Sequence, residues 1–144
     1  MIVIADTSGV LSLFDHTGKD YEASRRAANA ASLLVISPLA LTEIHQVAVS
    51  RAGHKTADAI VNAITRQVAG LRMALADTTP GLLDTALNVR ARYQDLRLDL
   101  VDSVNVALAE EYDTDAILTL DRRDFRVLRP LTNHAAFRLL PDDL

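Results

Sequence analysis

Apolar residues in this chain gather in short runs separated by longer amphipathic stretches. Ile2–Ala5, Leu33–Ile36, Met73–Ala76, Ala116–Leu120 and Ala136–Leu140 have the length and apolar density of buried strands. Helical spacing fills the intervals. Lys19–Ser32 is rich in alanine and polar on one side. Ser37-Pro38 offers an N-cap followed by proline at the first helical position, opening a helix to about Ala52 that Gly53 stops. Thr56–Val68 sets Ile60, Ile64 and Val68 on one side of another helix, Thr79-Pro80 opens one through about Tyr93, and Asp99–Tyr112 forms the next. After the first strand, Thr7-Ser8-Gly9 is expected as a turn leading into Val10–Phe14. Short apolar strands alternating with helices predict an α/β sandwich around a mainly parallel sheet, which binds ligands at the carboxyl ends of its strands.

A chain of 144 residues without repeats or low-complexity linkers is expected to form one domain over residues 1–144. At that size it buries roughly 70% of its unfolded surface, so no disulfide or structural metal is needed to hold it. The absence of cysteine removes thiolate metal sites and thiol nucleophiles. Asp6 interrupts the first apolar run too early for a signal peptide, and no apolar stretch reaches the ~18 residues of a membrane span. A cytoplasmic protein is therefore expected. The net charge of −4 gives no bulk attraction for nucleic acid, so any such binding must be local. The local candidate is Arg122, Arg123, Arg126 and Arg129; arginine suits bidentate phosphate contacts, although a solvated basic turn would look the same.

The chemistry lies in the acids. Asp6 ends the first strand, Glu43 sits in an apolar helix, Asp102 opens an apolar helix, and Asp121 follows the fourth strand. Ionised carboxylates in such settings are costly unless a positive charge meets them, and no lysine lies nearby in sequence. Each has a plain structural reading too. Asp6 and Asp121 could cap turns, with Thr7 and Ser8 as further caps or as groups orienting the Asp6 carboxylate. Glu43, with Thr42 and Gln46, could form a solvated strip. Asp99 and Asp102, three apart, could form a capping box, with Asp99 the better cap and Asp102 the better ligand. Asp124 could pair with Arg123 or Arg126 on the surface. Two strand-end acids, Asp6 and Asp121, nevertheless point at the same sheet edge. His16, His45, His54 and His134 have no ligand spacing, and no Gly-rich phosphate loop or nucleophile elbow occurs. A receiver module would need an acidic pair after the first strand and a late lysine. A haloacid-dehalogenase-like phosphatase would need an acid at Ser8. The chain has none of these.

Three motifs carry a resemblance: Val3-Ile4-Ala5-Asp6-Thr7-Ser8; Ser37-Pro38-Leu39-Ala40-Leu41-Thr42-Glu43; and Leu100–Ala109 followed by Ile117–Phe125. In order and spacing the chain resembles PIN-domain ribonucleases, and among them the VapC-type toxins of bacterial type II toxin–antitoxin pairs. That resemblance implies a PIN-like three-layer sandwich and a metal-dependent endoribonuclease that cuts structured RNA, tRNA or rRNA, and so inhibits translation. It implies that Asp6, Glu43, Asp102 and Asp121 form a site for Mg²⁺ or Mn²⁺, which hard oxygen donors suit. Asp124 would be a possible accessory acid, Thr7, Ser8 and Thr119 would orient the site, and Arg122, Arg123 and Arg126 would hold RNA. A VapB-like antitoxin and a homodimer follow as expected partners, with the apolar faces of the helices at Pro38–Ala52 and Thr56–Val68 available for the dimer. Ser103, where alanine is usual, and Tyr112-Asp113-Thr114, where a glycine turn is usual, depart from the family pattern without touching the acids. A catalytically inactive PIN-like RNA-binding or protein-interaction module is the alternative.

Overall fold

In the computed structural model, which describes residues 1–144, five strands form one sheet. The elements are β1 (Ile2–Ala5), α1 (Thr7–Phe14), α2 (Tyr21–Ala30), β2 (Leu33–Ile36), α3 (Pro38–Ala52), α4 (His54–Ala69), β3 (Met73–Leu75), α5 (Pro80–Arg92), α6 (Leu100–Glu111), β4 (Ala116–Leu118), α7 (Arg122–Val127) and β5 (Arg138–Leu140). A single 3₁₀ turn, Gln94–Leu96, links α5 to α6. All four strand pairings are parallel, and the spatial order is β3-β2-β1-β4-β5.

Strand alternation divides the core into two layers. Val3, Ala5, Leu34, Ile36 and Leu118 face one side, where α1 to α4 supply Val10, Ala27, Ile44 and Ile64. Ile4, Val35, Ile117 and Leu139 face the other, against Leu82, Val89, Val104, Leu108 and Phe125 from α5, α6 and α7. A sheet covered on both faces explains why the strands read as continuous apolar runs. The caps expected for α3 and α5 are present: Ser37 Oγ accepts from the Ala40 amide at 3.0 Å and Thr79 Oγ1 from the Leu82 amide at 3.1 Å. Gly53 lies at φ 88°, a left-handed conformation that separates α3 from α4. No helix is long and apolar enough to cross a membrane.

The structure corrects the sequence reading at three places. Thr7-Ser8-Gly9 is the first turn of α1, not a separate turn. Gly9 is required by packing: a Cβ there would fall 2.3 Å from the Leu118 carbonyl oxygen. The strand expected to run to Leu120 ends at Leu118, because Thr119 and Leu120 turn toward α1. Third, Arg122–Val127 forms a short helix where only a basic turn was expected. The apolar positions of α3 and α4 (Ala40, Ile44, Ala48, Ala57, Ile60 and Ile64) are buried in the core, which accounts for most of the two faces suggested for a dimer.

Because the first turn of α1 lies against the end of β4, Gly9→Ala is expected to cost about 1–3 kcal/mol by forcing the two apart. Urea unfolding measures this directly. A variant as stable as the parent would mean that the contact relaxes freely.

Candidate active site

The strand order turns at β1: β2 and β3 lie on one side of it and β4 and β5 on the other. The crevice beyond the carboxyl ends of β1 and β4 is the topological switch point, where open α/β sheets place ligands. Asp6 follows β1 and Asp121 follows β4 by three residues. A cleft of about 680 Å³ opens there, and its walls include Asp6, Glu43, Asp102 and Asp121, with Thr7, Ser8 and Asp99. All four acids singled out in the sequence thus reach one cleft. Asp124 does not line it.

Local geometry distinguishes acids that cap from acids that do not. Asp99 caps α6, its Oδ1 accepting from the Asp102 amide at 2.9 Å. Asp6 and Asp121 occupy the N-cap positions of α1 and α7, yet neither side chain makes a capping bond. The Asp6 carboxylate is 4% exposed and is held on both oxygens: Asn105 Nδ2 donates to Oδ1 at 3.1 Å, and Thr119 Oγ1 donates to Oδ2 at 2.9 Å. Thr119 also accepts from the Asp121 amide at 3.0 Å, which ties the fourth acid's backbone to the first acid's side chain. Ser8 Oγ accepts from the Leu120 amide at 2.9 Å and lies 3.2 Å from Thr119 Oγ1. With the Thr119 proton given to Asp6, Ser8 is the donor in that contact. The Oγ1 of Thr7 is buried without a partner.

Burial shapes the electrostatics of the site. Burial chiefly pushes Asp6 up to about 6, against hydrogen bonds from Thr119 and the Thr7 amide that favour its ionised form; the charges of Glu43 and Asp121 push it further the same way. Burial also pushes Asp102 up to about 8, with the negative charges of Asp6, Asp99 and Asp121 adding to it. Repulsion among close carboxylates is relieved either by protons or by a cation. Mg²⁺ keeps several waters and takes one or two carboxylates, which the Asp6 and Asp102 side chains of this cleft can supply. The donor set, hard oxygens without nitrogen or sulfur, fits the same ions.

Asn105 is a side chain of the candidate site that sequence reasoning did not single out. It is fully buried in α6, and its Oδ1 has no hydrogen-bond partner. A buried amide left half-satisfied carries a cost, and its one bond goes to Asp6. The signal was a lone amide inside the apolar run Val104–Ala109. The basic cluster is deployed differently from the sequence reading. Arg122 Nε is 2.6 Å from Asp142, Arg126 makes two hydrogen bonds to Asp143 at 2.6 and 3.0 Å, and Arg129 donates to the Ala135 carbonyl. None of Arg122, Arg123 and Arg126 lines the cleft. No histidine lines it either; His45 instead bridges α3 to Asp58 of α4 at 2.8 Å.

Removing the cap with Asp99→Ala is expected to cost about 1 kcal/mol of stability. Thermal melting would register it. A loss of activity at unchanged stability would make Asp99 a member of the reacting site.

The family model described as PIN domain matches residues 3–129, a span that includes all four acids. Ribonuclease VapC26 of Mycobacterium tuberculosis (strain ATCC 25618 / H37Rv) is 38% identical over 130 residues, covering 90% of this chain and 93% of that protein. Among solved structures, M. tuberculosis VapC20, described as a sarcin-ricin loop cleaving toxin, superposes with a TM-score of 0.72 at 18% identity, covering 84% of this chain and 90% of that one. VapBC2 from Rickettsia felis, solved bound to a DNA fragment from its promoter, gives a TM-score of 0.69 at 12% identity over 96% of this chain and 98% of that one. The two structures share the fold; the family match and the curated relative carry the lineage, and this chain belongs to the PIN-domain family.

Proposed function

We propose that this protein is a metal-dependent endoribonuclease, the toxin of a VapBC-type pair, which hydrolyses phosphodiester bonds in tRNA or rRNA and so inhibits translation. One observation carries the reading. Asp6, which is buried, and Asp102, which is half-buried, meet Glu43 and Asp121 in a single cleft at the switch point of the sheet. The ribonuclease named among the curated relatives, similar over nine-tenths of this chain, supports the same chemistry.

In this reading Asp6 and Asp102 are the principal metal ligands, and Glu43 and Asp121 complete the acidic wall. Mg²⁺ or Mn²⁺ held there would supply Lewis acidity at the phosphate and activate the attacking water. Asn105 and Thr119 fix the Asp6 carboxylate from both sides, so its lone pairs are aimed before substrate arrives. Ser8 fixes Thr119 in turn. Asp121 or Glu43 can orient the attacking water and accept its proton. Asp124 lies outside the cleft lining and forms none of the ion pairs expected with Arg123 or Arg126, so we take Asp121 as the fourth acid. Of the three arginines suggested for RNA, Arg122 and Arg126 are ion-paired to Asp142 and Asp143, and Arg123, which is in no ion pair, is the freest to meet an RNA backbone.

Residues 1–144 are read as one PIN domain, acting in the bacterial cytoplasm as a homodimer. The VapBC structural neighbour supports a VapB-like antitoxin as partner. A basic tail segment, bringing an arginine to the acidic wall, would neutralise the cleft that otherwise takes the metal. Purified protein incubated with total RNA is expected to produce discrete new RNA ends with Mg²⁺ or Mn²⁺ and none with EDTA. Cleavage that ignores EDTA would sink the metal-dependent mechanism, and intact RNA under all metals would sink the ribonuclease reading.

A further inference from the structure

The cleft is not acidic throughout. Its lining includes two cations, Lys19 and Arg51, and one aromatic ring, Tyr21. The other charged groups in the lining are all acids, yet neither cation takes part in any of the five ion pairs of the molecule. Glu43, Val47 and Arg51 recur every fourth residue and form one stripe along α3. Eight residues of helix span about 12 Å, so Arg51 stands about two turns of α3 beyond Glu43. Lys19 and Tyr21 enter from the junction of α1 and α2, and the Tyr21 ring is steadied by His16, with ring centroids 4.9 Å apart.

Building on the ribonuclease reading, we propose that Lys19, Arg51 and Tyr21 form a subsite for unpaired nucleotides flanking the scissile phosphate. Lys19 and Arg51 hold phosphates a few nucleotides from the cut, and Tyr21 stacks on a base. An aromatic ring beside unpaired cations is the combination that holds a single strand, whose base faces are open. A duplex hides those faces, so the subsite selects loops and other unpaired segments over paired stems. The division of labour also explains how an acidic protein grips a polyanion. The acid centre takes the metal, and Lys19 and Arg51, the only cations of the lining, meet phosphates of the rest of the strand although Asp15 and Asp20 stand beside Lys19.

Steady-state cleavage of deproteinised total RNA at several salt concentrations tests the subsite, using the full chain as Lys19→Gln/Arg51→Gln, as Tyr21→Leu, and as Arg66→Gln/Arg72→Gln. The last variant loses the same charge next to the amino end of β3, away from the cleft, and retains parental kinetics. The cleft double variant is expected to raise KM about tenfold, with kcat within about twofold. Its dependence of log kcat/KM on log salt should be shallower by ~1.4, two phosphate contacts on a single strand. Tyr21→Leu is expected to weaken binding of a short single-stranded RNA about tenfold, while leaving the same RNA annealed to its complement unaffected. Parental KM and salt dependence in the double variant, alongside parental cleavage of RNA, would overturn the subsite and leave the ribonuclease reading standing. Weaker binding of a glutamate-rich peptide by the double variant, with RNA kinetics unchanged, would reassign this end of the cleft to an acidic protein partner. Absence of cleavage by the parental protein would remove the ribonuclease reading and the subsite with it.

Discussion

Replacing Asp102 with asparagine is expected to reduce RNA cleavage by on the order of 10²–10³-fold or more, the scale of removing one preorganised electrostatic contact from a reaction centre. The same substitution is expected to stabilise the metal-free protein. Asp102 sits among Asp6, Asp99 and Asp121, and its ionisation is opposed by burial and by their charges. Asparagine retains the shape and removes the charge, so repulsion within the cleft falls. A rise in melting temperature of a few degrees, on the order of 1 kcal/mol, is the expected signature at pH 8. The paired outcome is diagnostic: a residue that merely supported the fold would lose activity and stability together. Full cleavage by a contaminant-free Asp102→Asn preparation would end the assignment of Asp102 to the site.

Stability of the metal-free protein is expected to fall as pH rises from about 4 to about 8. Unfolded, both aspartates ionise near 3.8; folded, Asp6 does so at about 6 and Asp102 at about 8. Between those values the folded state holds protons that the unfolded chain has released, so raising the pH pulls the equilibrium toward unfolding. Below about pH 4 both states are protonated at these positions and the effect vanishes. A divalent cation binds the ionised carboxylates and should reverse the loss. At pH 8 and saturating Mg²⁺ or Mn²⁺, about a hundred times Kd, the gain is about 2.7 kcal/mol, or about 5–10 °C in melting temperature for a chain of this size. At pH 5 the gain should be small, since protons compete for the same oxygens. Melting curves at both pH values, with and without metal, provide the check; an equal metal effect at pH 5 and pH 8 would mean that the ion binds elsewhere.

Much of the fold was legible because its cues are local. Strands buried on both faces read as apolar runs, and Ser37-Pro38, Gly53 and Thr79-Pro80 mark helix ends through backbone geometry that depends on near neighbours. Where long-range contact decides, the reading slipped. Gly9 looked like a turn residue, but its role is to let α1 approach the Leu118 carbonyl, more than a hundred residues away. The arginines after Asp121 read as an RNA patch, and only the fold shows that Asp142 and Asp143, distant in sequence, stand against two of them. Lys19, Arg51 and Tyr21 carried no signal, since isolated surface residues share a cleft only after the chain has folded.

The sequence by itself determined which carboxylates were candidates, because an acid that interrupts an apolar run must have a reason to tolerate burial. It also determined the alternation of strand and helix, which limits such a chain to a sheet covered on both faces. Only the tertiary structure decided which of those acids cap helices and which are left uncommitted in the cleft. Asp6, Asp99 and Asp121 all stand at helix N-caps, yet only Asp99 uses its side chain there. The difference comes from what packs around each carboxylate: Asn105 and Thr119 reach Asp6 from α6 and from the end of β4, contacts set by the strand order rather than by any local pattern.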